Sequence, residues 1–77
     1  MQNMNITTLA GAKAYLQQHE AFRASSLSAF WVDEAYIVFS YAEVIGVYNR
    51  NTGDRWYNEA KYSRTTSKHQ NLVKTYL

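Results

Sequence analysis

Seventy-seven residues, 47% hydrophobic and 16% aromatic, make one domain over residues 1–77 with no room for a second core, and they are too apolar for a disordered chain. Without a cysteine, and with only His19 and His69 as histidines, neither a disulfide nor a clustered metal site is available; packing of two Trp, seven Tyr and three Phe has to stabilise the fold. The formal net charge is only +2 and the pI near 9.0, which excludes an acidic mimic of DNA.

No apolar run approaches the ~20 residues that span a bilayer, the longest being Ala35 to Ala42. The start shows no basic stretch followed by an apolar one, so no secretory signal and no membrane partner are expected, and the expected location is the cytoplasm. Charge is unevenly spread. Residues 1–49 set Lys13 and Arg23 against Glu20, Asp33, Glu34 and Glu43. Residues 50–77 set Arg50, Arg55, Lys61, Arg64, Lys68 and Lys74 against Asp54 and Glu59, which makes the last third a candidate anion-facing surface.

In chain order, a first helix is predicted from a cap at Thr7 or Thr8, with Leu9, Ala12, Leu16, His19 and Phe22 along one face and an exit at Ser25-Ser26. The period then changes. Leu27 to Val32 and Ala35 to Tyr41 are rich in β-branched and aromatic residues around an Asp33-Glu34 turn, and Val44 to Asn49 continues the sheet. Asn51-Thr52-Gly53-Asp54 is a turn with Gly53 free to take positive φ, and Arg55 to Tyr62 is the predicted returning strand. Alternation places Ile37, Phe39, Ile45, Val47 and Trp56 inward, and Tyr36, Tyr48 and Tyr57 outward beside Arg55 and Lys61. A last helix is predicted from a capping box of Ser67 and Gln70, with His69, Leu72, Val73, Tyr76 and Leu77 as its apolar stripe. The expected fold is a two-layer α+β domain, an antiparallel sheet of three or four strands with an N-terminal and a C-terminal helix on one face.

The run from Tyr62 to Gln70 gathers hydroxyls, Arg64, Lys68 and His69 where a strand gives way to a helix N-terminus. Thr65, Thr66 and Ser67 can cap that helix. The same free N–H groups, with Arg64 and Lys68, can hold a phosphate or a carboxylate. Val44-Ile45-Gly46-Val47-Tyr48, Trp56, and Lys61-Tyr62-Ser63-x-Thr65-Thr66-Ser67-Lys68-His69 together resemble small uncharacterised bacteriophage proteins, which open a final helix with Y-S-x-T-T-S-[KR]-H. The resemblance covers roughly the last 40 residues. It implies a phage or mobile-element origin and a compact α/β module, of a size at which phage accessory proteins are often inhibitors of host defence or regulatory proteins.

Three functions follow as expectations. In the first, a phage-encoded binding protein blocks a host defence complex, as an anti-CRISPR protein would, meeting acidic patches with Arg50, Arg55, Lys61, Arg64 and Lys68. In the second, Tyr36, Tyr48 and Tyr57 with that basic third form a platform for single-stranded nucleic acid; the same tyrosines can instead serve as cross-strand pairs or protein anchors. In the third, a homodimer joins through an exposed sheet edge that no proline blunts. No cofactor is expected, and no nucleophile, base and orienter stand at a spacing that calls for catalysis, so the expectation is a non-enzyme.

Overall fold

The computed structural model describes residues 4–77. The chain runs β1 (Asn5–Ile6), α1 (Leu9–Gln18), β2 (Phe22–Ala24), β3 (Leu27–Val32), β4 (Ala35–Ser40), β5 (Glu43–Asn49), β6 (Arg55–Tyr57) and α2 (Arg64–Tyr76). The fold is α+β, and the sheet is larger than expected. Its six strands lie in the order β1-β2-β3-β4-β5-β6, and it is mixed rather than antiparallel because β1 pairs parallel with β2. Parallel neighbours need a crossover, which α1 supplies.

At two and three residues, β1 and β2 are too short to display an alternation, so hydropathy alone does not reveal them. The first helix also ends before Phe22. Thr8 caps it, its hydroxyl accepting from the Gly11 N–H, and at the other end His19 takes a left-handed φ of 54°. That turn releases Phe22 into β2, where it is fully buried. The next three connections are two-residue hairpins whose first residues, Ser25, Asp33 and Tyr41, have φ of 56°, 52° and 56°. Gly53, at φ 76°, closes the β5–β6 turn by donating its N–H to the Asn49 carbonyl at 2.8 Å.

The last helix starts earlier than the Ser67 box. Ser63 is the cap, accepting from the Thr66 N–H at 3.3 Å. Gln70 turns inward instead, and its Nε2 donates to the carbonyls of Asn58 and Ala60 at 2.7 and 2.9 Å. Those bonds tie residues 58–60 along α2, which is why the returning strand stops at Tyr57.

Strand register sorts the side chains into two faces. On one lie Ala24, Leu27 and Ser40; then Phe22, Ala29, Val38, Gly46 and Tyr57; then Trp31, Tyr36, Tyr48 and Arg55. This face holds the core, with Phe22, Ala24, Leu27, Ala29, Tyr36, Val38 and Ser40 all fully buried. The predicted faces are therefore reversed for most of the sheet: Tyr36, Tyr48 and Tyr57 belong to the core face, and Ile37, Phe39, Val47 and Trp56 to the other. Two physical features select this choice. The core face supplies small residues for close approach, and a Cβ on Gly46 would stand 2.6 Å from Val73 Cγ1. It also gives the Tyr36 hydroxyl a partner, the Glu20 carbonyl at 2.6 Å just beyond α1. Ile45 is buried as expected because a bulge between Val38 and Phe39 breaks the alternation in β5 and turns both Ile45 and Gly46 inward.

Candidate functional site: an open sheet face

The other face of the sheet carries Arg23, Ser28, Phe39 and Val44 in one row, Phe30, Ile37, Val47 and Trp56 in the next, and Val32, Ala35 and Asn49 in the third. Phe30, Ile37, Phe39, Val44 and Val47 are only half-buried; Val32 is 45% and Trp56 52% exposed. The Phe30 and Phe39 rings stack diagonally across β3 and β4, with centroids 5.2 Å apart. The centre of the face carries no charge. A shallow cavity of about 540 Å³ lies at its β2 side, lined by Arg23, Ser28, Phe30 and Tyr41 among others. A second, of about 250 Å³, lies at its β6 side, with Val47, Asn49, Asp54 and Trp56 in its wall. A contiguous apolar patch rimmed by polar groups is a common mark of a protein-binding surface.

Eight of the ten residues singled out in the sequence fall into two separate groups, and Tyr57 and Thr66 belong to neither. Tyr36, Tyr48, Arg50 and Arg55 gather with His19 and Trp31 where α1 ends. His19 stacks on Tyr48 at 3.9 Å between centroids, and the Arg55 and Arg50 guanidiniums sit 4.8 and 5.1 Å from the Tyr48 and Trp31 rings. Trp31 Nε1 donates to the His19 carbonyl at 2.8 Å. Partial burial, then the nearby Arg55 charge, lowers the His19 pKa; burial, then the Glu20 charge, raises that of Tyr36. Tyr36 is fully buried and the Tyr48 ring is already stacked, so the two cannot serve as an open platform for bases. Tyr57 is half-buried against the core.

Arg64, Thr65 and Lys68 are exposed on the first half of α2, and Lys61 is exposed in the loop before it. Arg55 is remote from them: its Nε donates to the Leu77 carbonyl at 2.8 Å, at the far end of a helix that is ~20 Å long. The expected single basic surface is thus broken in two. Lys74 does not extend it, being paired with Glu59 at 2.6 Å, a bond that with the lysine charge lowers the Glu59 pKa.

Thr66 points inward and belongs to a buried polar chain. Ser40 Oγ lies 2.7 Å from His69 Nδ1 and 3.1 Å from Thr66 Oγ1. Burial lowers the His69 pKa, favouring a neutral ring that can accept from Ser40. Serine beside histidine can make a nucleophile, but Ser40 is 0% and His69 2% exposed, so the pair fastens α2 to β4. Among the described residues no three metal-ligating side chains come together, and no buried side-chain polar atom lacks a hydrogen-bond partner. No helix among them is long and apolar enough to cross a membrane.

Alternation alone turned the open-face residues inward, since both faces of this sheet are apolar. The available signal was the recurrence of Ala24, Ala29, Ser40 and Gly46, small residues that mark the side where helices approach. No curated protein and no solved structure matches the chain. A family model does match, over residues 3–76, and the chain accordingly belongs to DUF8033, a family of unknown function.

Proposed function

We propose that this protein is a non-enzymatic binding module whose open sheet face is covered by a protein partner. The observation that carries the reading is Trp56, 52% exposed beside half-buried Ile37, Phe39 and Val47 on a face with an uncharged centre. What further supports it is where the helices make their contacts. α1 and the residues just after it reach Tyr36, and α2 reaches Ser40 and Gly46, all on the opposite face, so both helices are read as one layer. The phage-like motif from Tyr62 to His69 gives the module a biological setting: a phage-encoded inhibitor acting in the host cytoplasm by occupying a functional surface of a defence complex.

In-cell cross-linking from a photoreactive residue at position 56 tests the proposal. A discrete protein adduct is expected from position 56 and none from position 17 on the exposed side of α1. Absence of any adduct from position 56 overturns it.

Direct nucleic-acid binding is kept as a second reading because Lys61, Arg64 and Lys68 are exposed and face no carboxylate in an ion pair among the described residues. Affinity for DNA or RNA would then fall with salt, and Arg64→Ala or Lys68→Ala would flatten the slope. No mobility shift at low salt removes this reading.

A further inference from the structure

We infer that the occupant of the open face is a second copy of this chain, packed sheet on sheet about a two-fold axis. The inference rests on the reading of that face as a protein-docking surface and names its partner. Size permits it. The 27 strand residues, at about 3.3 Å each with about 4.8 Å between strands, present roughly 430 Å² per copy, so a pair buries roughly 860 Å², the size of a weak, concentration-dependent contact.

The charges at the rim are what favour a copy over an unrelated protein. At the β2 side of the face Arg23 is exposed in the wall of the larger cavity, with no side-chain hydrogen bond or ion pair among the described residues. At the β6 side Asp54 is exposed in the wall of the smaller one, and its carboxylate has no ion-pair partner among the described residues. Between them lie Phe30, Phe39, Ile37, Val47 and Trp56. A two-fold contact is isologous, so a surface that carries one charge of each sign on either side of an apolar centre is complementary to itself. Turning a second copy over onto the first lays Arg23 of each over Asp54 of the other, twice, while the uncharged rows meet in the middle. The two sheets then stand about 10 Å apart, the spacing of a β-sandwich.

This route differs from pairing through a sheet edge. The edge strands β1 and β6 have two and three residues and offer few backbone bonds to a neighbour. Closing the face instead leaves both copies of α2 outward, with Lys61, Arg64 and Lys68 free to meet an acidic host surface.

Sedimentation equilibrium over the micromolar to millimolar range tests this on the full chain. The expected result is a mass rising towards twice 8.9 kDa. Arg23→Glu and Asp54→Arg should each weaken association at least tenfold, and the double variant R23E/D54R should restore it. Phe39→Glu with Trp56→Glu should hold the chain monomeric, its fold checked by circular dichroism, while Gln17→Ala, on the exposed side of α1, leaves association unchanged. A mass of 8.9 kDa throughout, or a double variant no better than the singles, overturns the inference. In that case a cross-link from position 56 to a different protein would still uphold the proposed function, so the two can fail separately.

Discussion

Three residues without the freedom of glycine hold left-handed backbone at the first position of a hairpin turn, and Tyr41, at φ 56°, is the bulkiest. For an L-residue that conformation costs roughly 1–2 kcal/mol, which glycine avoids at the expense of a more flexible unfolded chain. Tyr41→Gly is therefore expected to raise stability by about 0.5–1 kcal/mol in urea denaturation. Ala42→Gly, next to it with no positive φ to relieve, should lower stability. His69 and His19 make stability depend on pH. Both imidazoles bind a proton less readily in the fold than in the unfolded chain, where histidine titrates near ~6.5. Between the lowered values and ~6.5 the unfolded chain holds more protons, so stability is complete above that range and is lost as pH falls through it. Melting temperature should drop on acidification from neutral pH, and the double variant H19N/H69N should flatten that part of the curve.

At the scale of elements, α2 is positioned by its cap and by the surface it lies on. Ser63→Ala removes the acceptor for the Thr66 N–H and should cost about 1 kcal/mol, whereas exposed Ser67 lies inside the helix and Ser67→Ala should change stability by under about 0.5 kcal/mol. Gly46 is where β5 comes closest to α2. A methyl there meets Val73 Cγ1 at 2.6 Å and Leu77 Cδ2 at 3.2 Å, so Gly46→Ala should destabilise by about 1–3 kcal/mol as α2 is pushed outward. Arg55 holds the other end of α2 through the Leu77 carbonyl. Its charge thus serves the fold before any partner, and this separates it from Lys61, Arg64 and Lys68.

For the whole molecule, the small size is the controlling fact. A 77-residue chain with one face of its sheet uncovered leaves apolar surface in water that a second protein layer would remove. Covering that face should stabilise the fold by mass action, so the melting temperature should rise with protein concentration for the native chain and not for the Phe39→Glu, Trp56→Glu variant; scanning calorimetry at two concentrations reads the difference. The proposed dimer would close the sheet face and leave the exposed side of α2, with Arg64 and Lys68, for the proposed host contact.

Local signals in the sequence determined the α+β class, a cap at Thr7 or Thr8, the three longer strands, the Asp33-Glu34 and Gly53 turns, and the inward stripe of His69 and Val73 on α2. Each of these is set by near neighbours: periodicity within a segment, a capping hydroxyl, a residue able to take positive φ. Tertiary contact decided the rest. Which face of the sheet is buried depended on the match between small residues of β2 to β5 and the helices, and on a carbonyl beyond α1 that only the folded chain brings to Tyr36. Alternation cannot choose between two faces that are both apolar, and so it put the open face inside. The same cause split the basic third, because Arg55 found its acceptor at the end of α2, a partner 22 residues away along the chain.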